Sequence, residues 1–341
     1  MSCGFQGLFA RTGGRGVRAR DFRSGGGADT ASVVDEHTPV LVDEALAALG
    51  LGAGGYYVDA TFGRGGHTAQ ILQALGQQGR VLAIDRDPQA VAAGRRRFAD
   101  EVRLTLLHAS FADLAALVPA HSRGEPCRGV LFDLGVSSPQ LDDPERGFSF
   151  RADGPLDMRM DPTCGEPVSA WLARASLDEI REVIATLGEE RFARRVARAI
   201  VEARRERPVE RTSQLAALVA NAVRTREPGK HPATRTFQAL RMFINDELAQ
   251  LEKGLAAALE FLAPGGRLVV ISFHSLEDRL VKHFMRRQTQ IDPALLELPV
   301  LPQGVEPRLK LVGRKRRAVA AEIQNNPRAR SALLRVAEKI K

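Results

Sequence analysis

One stretch constrains this chain more than any other: Val58-Asp59-Ala60-Thr61-Phe62-Gly63-Arg64-Gly65-Gly66-His67-Thr68. A short apolar run ends in an acid, spaced glycines follow, and Ile71, Leu72 and Leu75 then repeat at helical spacing. Glycines let a backbone turn sharply and approach a ligand closely. Between a strand and a helix of an open α/β sheet, such a loop lies over the crevice where cofactors bind. A dinucleotide fingerprint wants a small third glycine near position 68, and this chain has Thr68. An acid at the strand end followed by spaced glycines suits S-adenosylmethionine instead. That nucleoside has no pyrophosphate to set on the helix N-terminus.

The surrounding pattern alternates strand and helix. Tyr56 to Asp59, Val81 to Asp85, Leu104 to Leu107 and Val130 to Asp133 read as buried strands. Thr38 and Pro39 read as N-cap and first position of an opening helix. The fold class is α/β: a doubly wound, mostly parallel, Rossmann-like S-adenosylmethionine methyltransferase sheet. From 144 to 230 the strands stop. Leu177/Ile180/Val183/Ile184, Phe192/Val196/Ala199/Ile200 and Leu215/Leu218/Val219/Ala222 mark amphipathic helices of an all-helical inserted domain. A single helix carrying Phe237, Leu240, Ile244, Leu248 and Leu251 resumes the α/β pattern. A tight turn at Ala263-Pro264-Gly265-Gly266 precedes the strand Leu268 to Ile271. Arg308 to Val312 and Ala332 to Val336 are edge strands able to pair antiparallel. The expected division is therefore a leader (1–34), a methyltransferase domain in two parts (35–143 and 231–341), and a substrate-recognising helical insertion (144–230).

With 44% hydrophobic residues the chain can bury a sizeable core. A formal net charge of +8 favours polyanionic partners. The three cysteines stand at neither metal-ligand nor redox spacing, so no metal site and no disulfide framework are expected. No apolar run is long enough to span a membrane. The Gly/Arg-rich leader lacks apolar periodicity and reads as disordered. A flexible basic leader, an organellar transit peptide and an over-extended start all fit it.

Asp85 ends the second strand, where a carboxylate accepts both ribose hydroxyls of a nucleoside cofactor. Asp87 has the simpler role of capping the next helix. Asp133 ends the fourth strand and points into the same crevice. Leu134-Gly135-Val136 follows it in place of the Pro-Pro-aromatic tail frequent in amino-group methyltransferases. That argues against an ordinary adenine-N6 DNA enzyme.

Longer strings carry a closer likeness. They are His37 to Leu41, Thr61 to His67, Ala83 to Pro88, Asp133 to Phe150, Gly154 to Pro162, Gly188 to Ala193, His231 to Arg241, Ile271 to Arg279 and Asn326 to Ser331. In these the chain resembles the RsmH (MraW) family of small-subunit rRNA cytosine-N4 methyltransferases, from about residue 36 to the C-terminus. The resemblance implies that Gly65, Gly66 and His67 contact the cofactor and that Asp85 holds its ribose. It also implies Phe111 beside the adenine, with Asp133 and Gln140 completing the pocket. The implied substrate is a cytidine in the decoding region of 16S rRNA, on free small-subunit rRNA or a ribosomal subunit, in the cytoplasm. A homodimer is compatible with the sequence, which does not set oligomeric state.

The expected chemistry is in-line methyl transfer to the exocyclic amine of cytosine, a weak nucleophile because its lone pair is conjugated with the ring. Alignment is the main task, contributing roughly 7–11 kcal/mol. Asp133 is the candidate for orienting the amine, and no dedicated general base is evident. His274 is an alternative polar group at a strand end. The target base must be unstacked to enter such a pocket. Three basic clusters are candidate phosphate contacts: Arg191/Arg194/Arg195/Arg198/Arg205, Lys230/His231/Arg235, and Arg314 to Arg317. Three other classes compete. They are a nicotinamide oxidoreductase, which Thr68 opposes, a non-catalytic RNA-binding assembly factor, and a methyltransferase for another RNA site or base.

Overall fold

The computed structural model describes residues 39–223, 231–291 and 306–341. Thr38, Lys230 and the leader lie outside them. The described residues fall within one compact unit, 37–341.

The elements run in chain order. The first half comprises α1 (Val42–Leu49), β1 (Gly55–Asp59), α2 (Gly66–Leu75), β2 (Gly79–Asp85), α3 (Pro88–Arg97), β3 (Leu104–His108), α4 (Leu114–His121), β4 (Cys127–Asp133) and α5 (Ser138–Asp142). Five helices follow: α6 (Val168–Arg174), α7 (Leu177–Gly188), α8 (Ala193–Glu206), α9 (Thr212–Ala222) and α10 (Thr234–Ile244). The chain ends with α11 (Glu247–Phe261), β5 (Leu262–Ser272), α12 (Ser275–Gln288), β6 (Leu309–Leu311), β7 (Arg316–Arg317), α13 (Ala320–Asn325) and β8 (Leu333–Lys339). The sheet order is β3-β2-β1-β4-β5-β8-β6, with β7 also on β8. β1 to β5 pair in parallel, whereas β8 is antiparallel to its neighbours. This is the Rossmann-like sheet with an antiparallel edge that the sequence predicts. Strand order reverses between β1 and β4, so the crevice opens at the carboxyl ends of these strands. Asp59, Asp85 and Asp133 end β1, β2 and β4 there.

Apolar cores cover both faces of the sheet and a third closes the helical layer. That third core includes Ala233, Phe237, Ala239 and Leu240, so α10 packs with the helices before it. We therefore place the end of the helical unit near Ile244 rather than at residue 230.

Three local expectations need correction. The single helix through Phe237 and Leu251 is two helices, broken at Asn245 and Asp246. Asp246 adopts φ 50°, and the Asn245 carboxamide binds Met158 O at 2.7 Å and Met160 N at 2.8 Å. Hydrophobic spacing does not register such a break, because both helices keep an apolar face. The turn at 263–266 is a bulge within β5: Leu262 pairs with Cys127, and Arg267 already pairs with Gly129. Pro39 does not open α1, which starts at Val42 after a left-handed Leu41. The Leu41 N–H is taken by Glu322 Oε1 at 2.6 Å, and the Val40 carbonyl serves the His67 ring.

Thr68, the residue that departs from the dinucleotide pattern, has a structural task. Its hydroxyl donates to Asp59 Oδ2 at 2.6 Å, and the Thr61 N–H donates to Oδ1 at 3.1 Å. The β1 acid thus holds the glycine loop from inside. Thr68→Val leaves Asp59 short of a donor and should lower stability by about 1–3 kcal/mol. The denaturant midpoint measures this, and an unchanged midpoint would refute it.

Candidate active site

Over the switch point lies a cavity of about 350 Å³. Of the residues expected to hold the cofactor, Gly66, His67, Asp85, Phe111, Asp133 and Gln140 line it. Gly65 does not. It sits at φ 72°, its N–H donates to Phe62 O at 2.7 Å, and a Cβ there would strike the Phe62 and Phe98 rings at 2.6 and 2.7 Å. The position needs glycine for its turn and packing. Gly66 does face the cavity, where a Cβ would meet Pro39 Cγ at 2.4 Å.

Asp85 is set for a ligand with vicinal hydroxyls. Oδ2 accepts from the Gly63 N–H at 2.7 Å and Oδ1 from the Asp87 N–H at 2.8 Å. Each oxygen keeps a lone pair for a further donor. Burial pushes the carboxyl up to about 6, although both N–H groups pull it down. A ribose held by hydrogen bonds to the carboxylate favours the charged form. Affinity for S-adenosylhomocysteine should therefore be constant above about pH 7 and fall as pH drops through 6. Calorimetric titration from pH 5 to 8 tests this; a flat profile in the wild type would contradict it, and Asp85→Asn should give one.

Asp87 caps α3 through the Gln89 N–H at 2.9 Å, but it does more. Gln140 Nε2 donates to Asp87 Oδ2 at 2.9 Å, and Arg146 Nη1 reaches the same oxygen at 2.7 Å. Arg146 Nη2 donates to the Arg159 and Met160 carbonyls at 3.1 and 2.9 Å. Gln140 Oε1 accepts from the Ser137 N–H at 2.9 Å. Gln140 therefore borders the cavity while locking the loop after β4 to the end of β2. Phe111, which follows β3, meets Phe132 edge-to-face at 5.7 Å and presents an apolar wall.

Asp133 is the least satisfied group in the site. Its N–H donates to Thr61 Oγ1 at 2.6 Å, yet Oδ1 is buried with no partner among the described residues. Burial, with Asp59 and Glu277 adding like charge, pushes its carboxyl well above the usual range. His67 Nδ1 stands 3.5 Å from Oδ2. Burial drives His67 down to about 4, so the ring is neutral. Its Nε2–H goes to Val40 O at 3.2 Å, which leaves Nδ1 as an acceptor. The pair is a weak polar contact, not an ion pair.

His274 does not line the cavity. It is the N-cap of α12, and its Nδ1 receives the Glu277 N–H at 3.4 Å. Its Nε2 lies 3.1 Å from Glu277 Oε1 without hydrogen-bond alignment. The cavity wall instead includes Thr61, Met160, Arg241, Glu247, Phe273 and Glu277, none of them a strand-end acid or a loop glycine. Arg241, Phe273 and Glu277 lie inside strings that carry the family likeness, and that was the available signal.

The donor set fits a nucleoside sulfonium: a ribose acceptor at Asp85, an aromatic wall at Phe111 and carboxylates for a cation. One family model, described as the MraW methylase family, matches residues 35–340. The chain belongs to this family. The methylase is 58% identical over 306 residues to a ribosomal RNA small subunit methyltransferase H of Dechloromonas aromatica, covering 89% of this chain and 98% of the relative. It is 56% identical over 307 residues to the protein of the same name from Thioalkalivibrio sulfidiphilus, covering 89% and 97%. The methylase is thus an S-adenosylmethionine-dependent methyltransferase. No described helix is long and apolar enough to cross a membrane.

Of the basic clusters, Arg191, Arg194, Arg198 and Arg205 are exposed on or beside α8, and Arg314 to Arg317 are exposed around β7. Arg195 stacks over the Phe192 ring, 5.4 Å from its centroid. His231 is exposed, and Arg235 bonds the Glu189 carbonyl.

Proposed function

We propose that this methylase acts on small-subunit rRNA in the cytoplasm, methylating the exocyclic N4 amine of a cytidine in the decoding region of 16S rRNA. The observation that carries the reading is the Asp133 carboxyl, which lines the cavity at the carboxyl end of β4 with neither oxygen accepting a hydrogen bond from the described residues. An amine hydrogen bonded there has its remaining lone pair directed away from the carboxylate. The names of the relatives supply the class of acceptor.

Bound S-adenosylmethionine supplies an electrophilic methyl group. Asp85 fixes the ribose, Phe111 excludes water from the base, and the Gln140–Asp87–Arg146 network keeps the surrounding loops closed. As the new N–C bond forms, one amine proton must leave. Asp133, whose proton affinity is raised by burial, stands where that proton emerges. A cationic ligand beside it pulls the carboxyl back toward its charged, accepting form. The exposed arginines of α8 and β7 contact phosphates.

Nuclease digestion of small-subunit rRNA after treatment with enzyme and S-adenosylmethionine, followed by mass spectrometry, tests the position. A 14-dalton gain confined to a decoding-region fragment is expected for a methyl replacing a hydrogen. A gain mapping elsewhere would discard the site and keep the methylase.

A further inference from the structure

Arg241, Glu247, Phe273 and Glu277 also line the cavity, and carboxylate atoms of Glu247 and Glu277 lie within 4.8 Å of each other. Arg241 ends α10 and Glu247 begins α11, on either side of the Asn245–Asp246 break. Arg241 Nε and Nη2 donate to the two Glu247 carboxylate oxygens, both at 2.7 Å. The two side chains are 14% and 9% exposed. A buried pair of this kind is poor evidence of stabilisation, because desolvation offsets its attraction. What it does provide is a guanidinium held in one plane.

The fork leaves donors over. Arg241 Nη1 makes no hydrogen bond among the described residues, and it is not among the buried polar atoms lacking a partner. Nη1 therefore keeps some accessible surface, and Arg241 lines the cavity. A fixed planar donor in an enclosed site calls for a ligand with acceptors on one edge. Cytosine has such an edge: N3 and O2 accept, next to the N4 amine that donates. Uracil places an N3–H donor where cytosine has an acceptor, and a guanidinium opposes it. Arg241, Glu277 and Asp133 line the same cavity.

We propose that Arg241, clamped by Glu247, determines acceptor specificity, the parallel N–H groups that Nη1 and Nη2 keep free of Glu247 taking the N3/O2 edge of the pyrimidine whose amine meets Asp133. This rests on the cytidine reading above. Glu247 is then a positioning residue, acting through the guanidinium.

The test uses the full-length enzyme with Arg241→Lys and the double variant Arg241→Gln/Glu247→Gln, which removes both charges of the pair together. The dissociation constant for S-adenosylhomocysteine should stay within about threefold of wild type. The kcat/KM on unmodified small ribosomal subunits should fall roughly 10- to 100-fold, the range of one bidentate base contact. Saturation-transfer NMR on the protein saturated with S-adenosylhomocysteine should show cytidine preferred over uridine in the wild type and no preference in the double variant. Glu247→Gln, which keeps Arg241 but loosens the fork, should reduce the preference without abolishing it. N4-methylcytidine from the wild type, with a double variant of full kcat/KM and unchanged preference, would overturn the Arg241 inference alone. Parallel loss of S-adenosylhomocysteine binding would overturn it too, by assigning Arg241 to the cofactor. Label on another nucleoside would overturn the cytidine reading and this inference with it.

Discussion

Asp133→Ala is expected to lower kcat by about 10²- to 10³-fold, as loss of one preorganised electrostatic partner does elsewhere. The Asp133 carboxyl accepts no hydrogen bond from the described residues, so its removal takes an acceptor from the reacting amine and little from the fold. The main-chain bond from the Asp133 N–H to Thr61 Oγ1 survives the substitution and keeps the end of β4 in register. Asp133→Asn keeps an acceptor but loses its charge and its capacity to take a proton, so its loss should be about tenfold. Single-turnover methylation with saturating cofactor measures both. An alanine variant within threefold of wild type would remove Asp133 from the reaction.

The second large effect is structural. Arg146→Met should destabilise the protein by about 3–5 kcal/mol, because Asp87 then holds a buried charge without its partner. Arg146 is 7% exposed and Asp87 3%, and no solvent is at hand to replace the guanidinium. Two carbonyls, of Arg159 and Met160, lose their donor as well. The damage should reach the cofactor, since the Asp87 N–H supports Asp85 Oδ1. The double variant Arg146→Met/Asp87→Asn should recover part of the stability. Chemical denaturation with and without S-adenosylhomocysteine reads both effects. A loss below 1 kcal/mol would show that the pair contributes little.

The first-order architecture was legible because strands β1, β2 and β4 are buried on both faces. They therefore write themselves as continuous apolar runs ending in Asp59, Asp85 and Asp133. The carboxylates at those ends do not share one job, and the sequence could not sort them. Asp59 turns inward to Thr68, whereas Asp85 and Asp133 line the cavity. Which way a carboxylate turns depends on donors brought in from elsewhere in the chain, such as the Gly63 N–H, 22 residues before the Asp85 carboxylate that accepts it. Gly65 shows the same limit: a loop glycine reads alike whether it serves a ligand or two phenylalanine rings. Arg241 and Glu247 were hidden in what reads as one uninterrupted helix. The break between them is made by Asn245 reaching back to Met158 and Met160, contacts that no periodicity records.

Incubation of the wild-type enzyme with labelled S-adenosylmethionine and unmodified small ribosomal subunits, followed by nucleoside analysis, tests whether cytidine N4 is the methyl acceptor. Label is expected in N4-methylcytidine and nowhere else, reduced in step with kcat in Asp133→Ala. Label in a different nucleoside, or none at all from an enzyme that binds the cofactor, would contradict it.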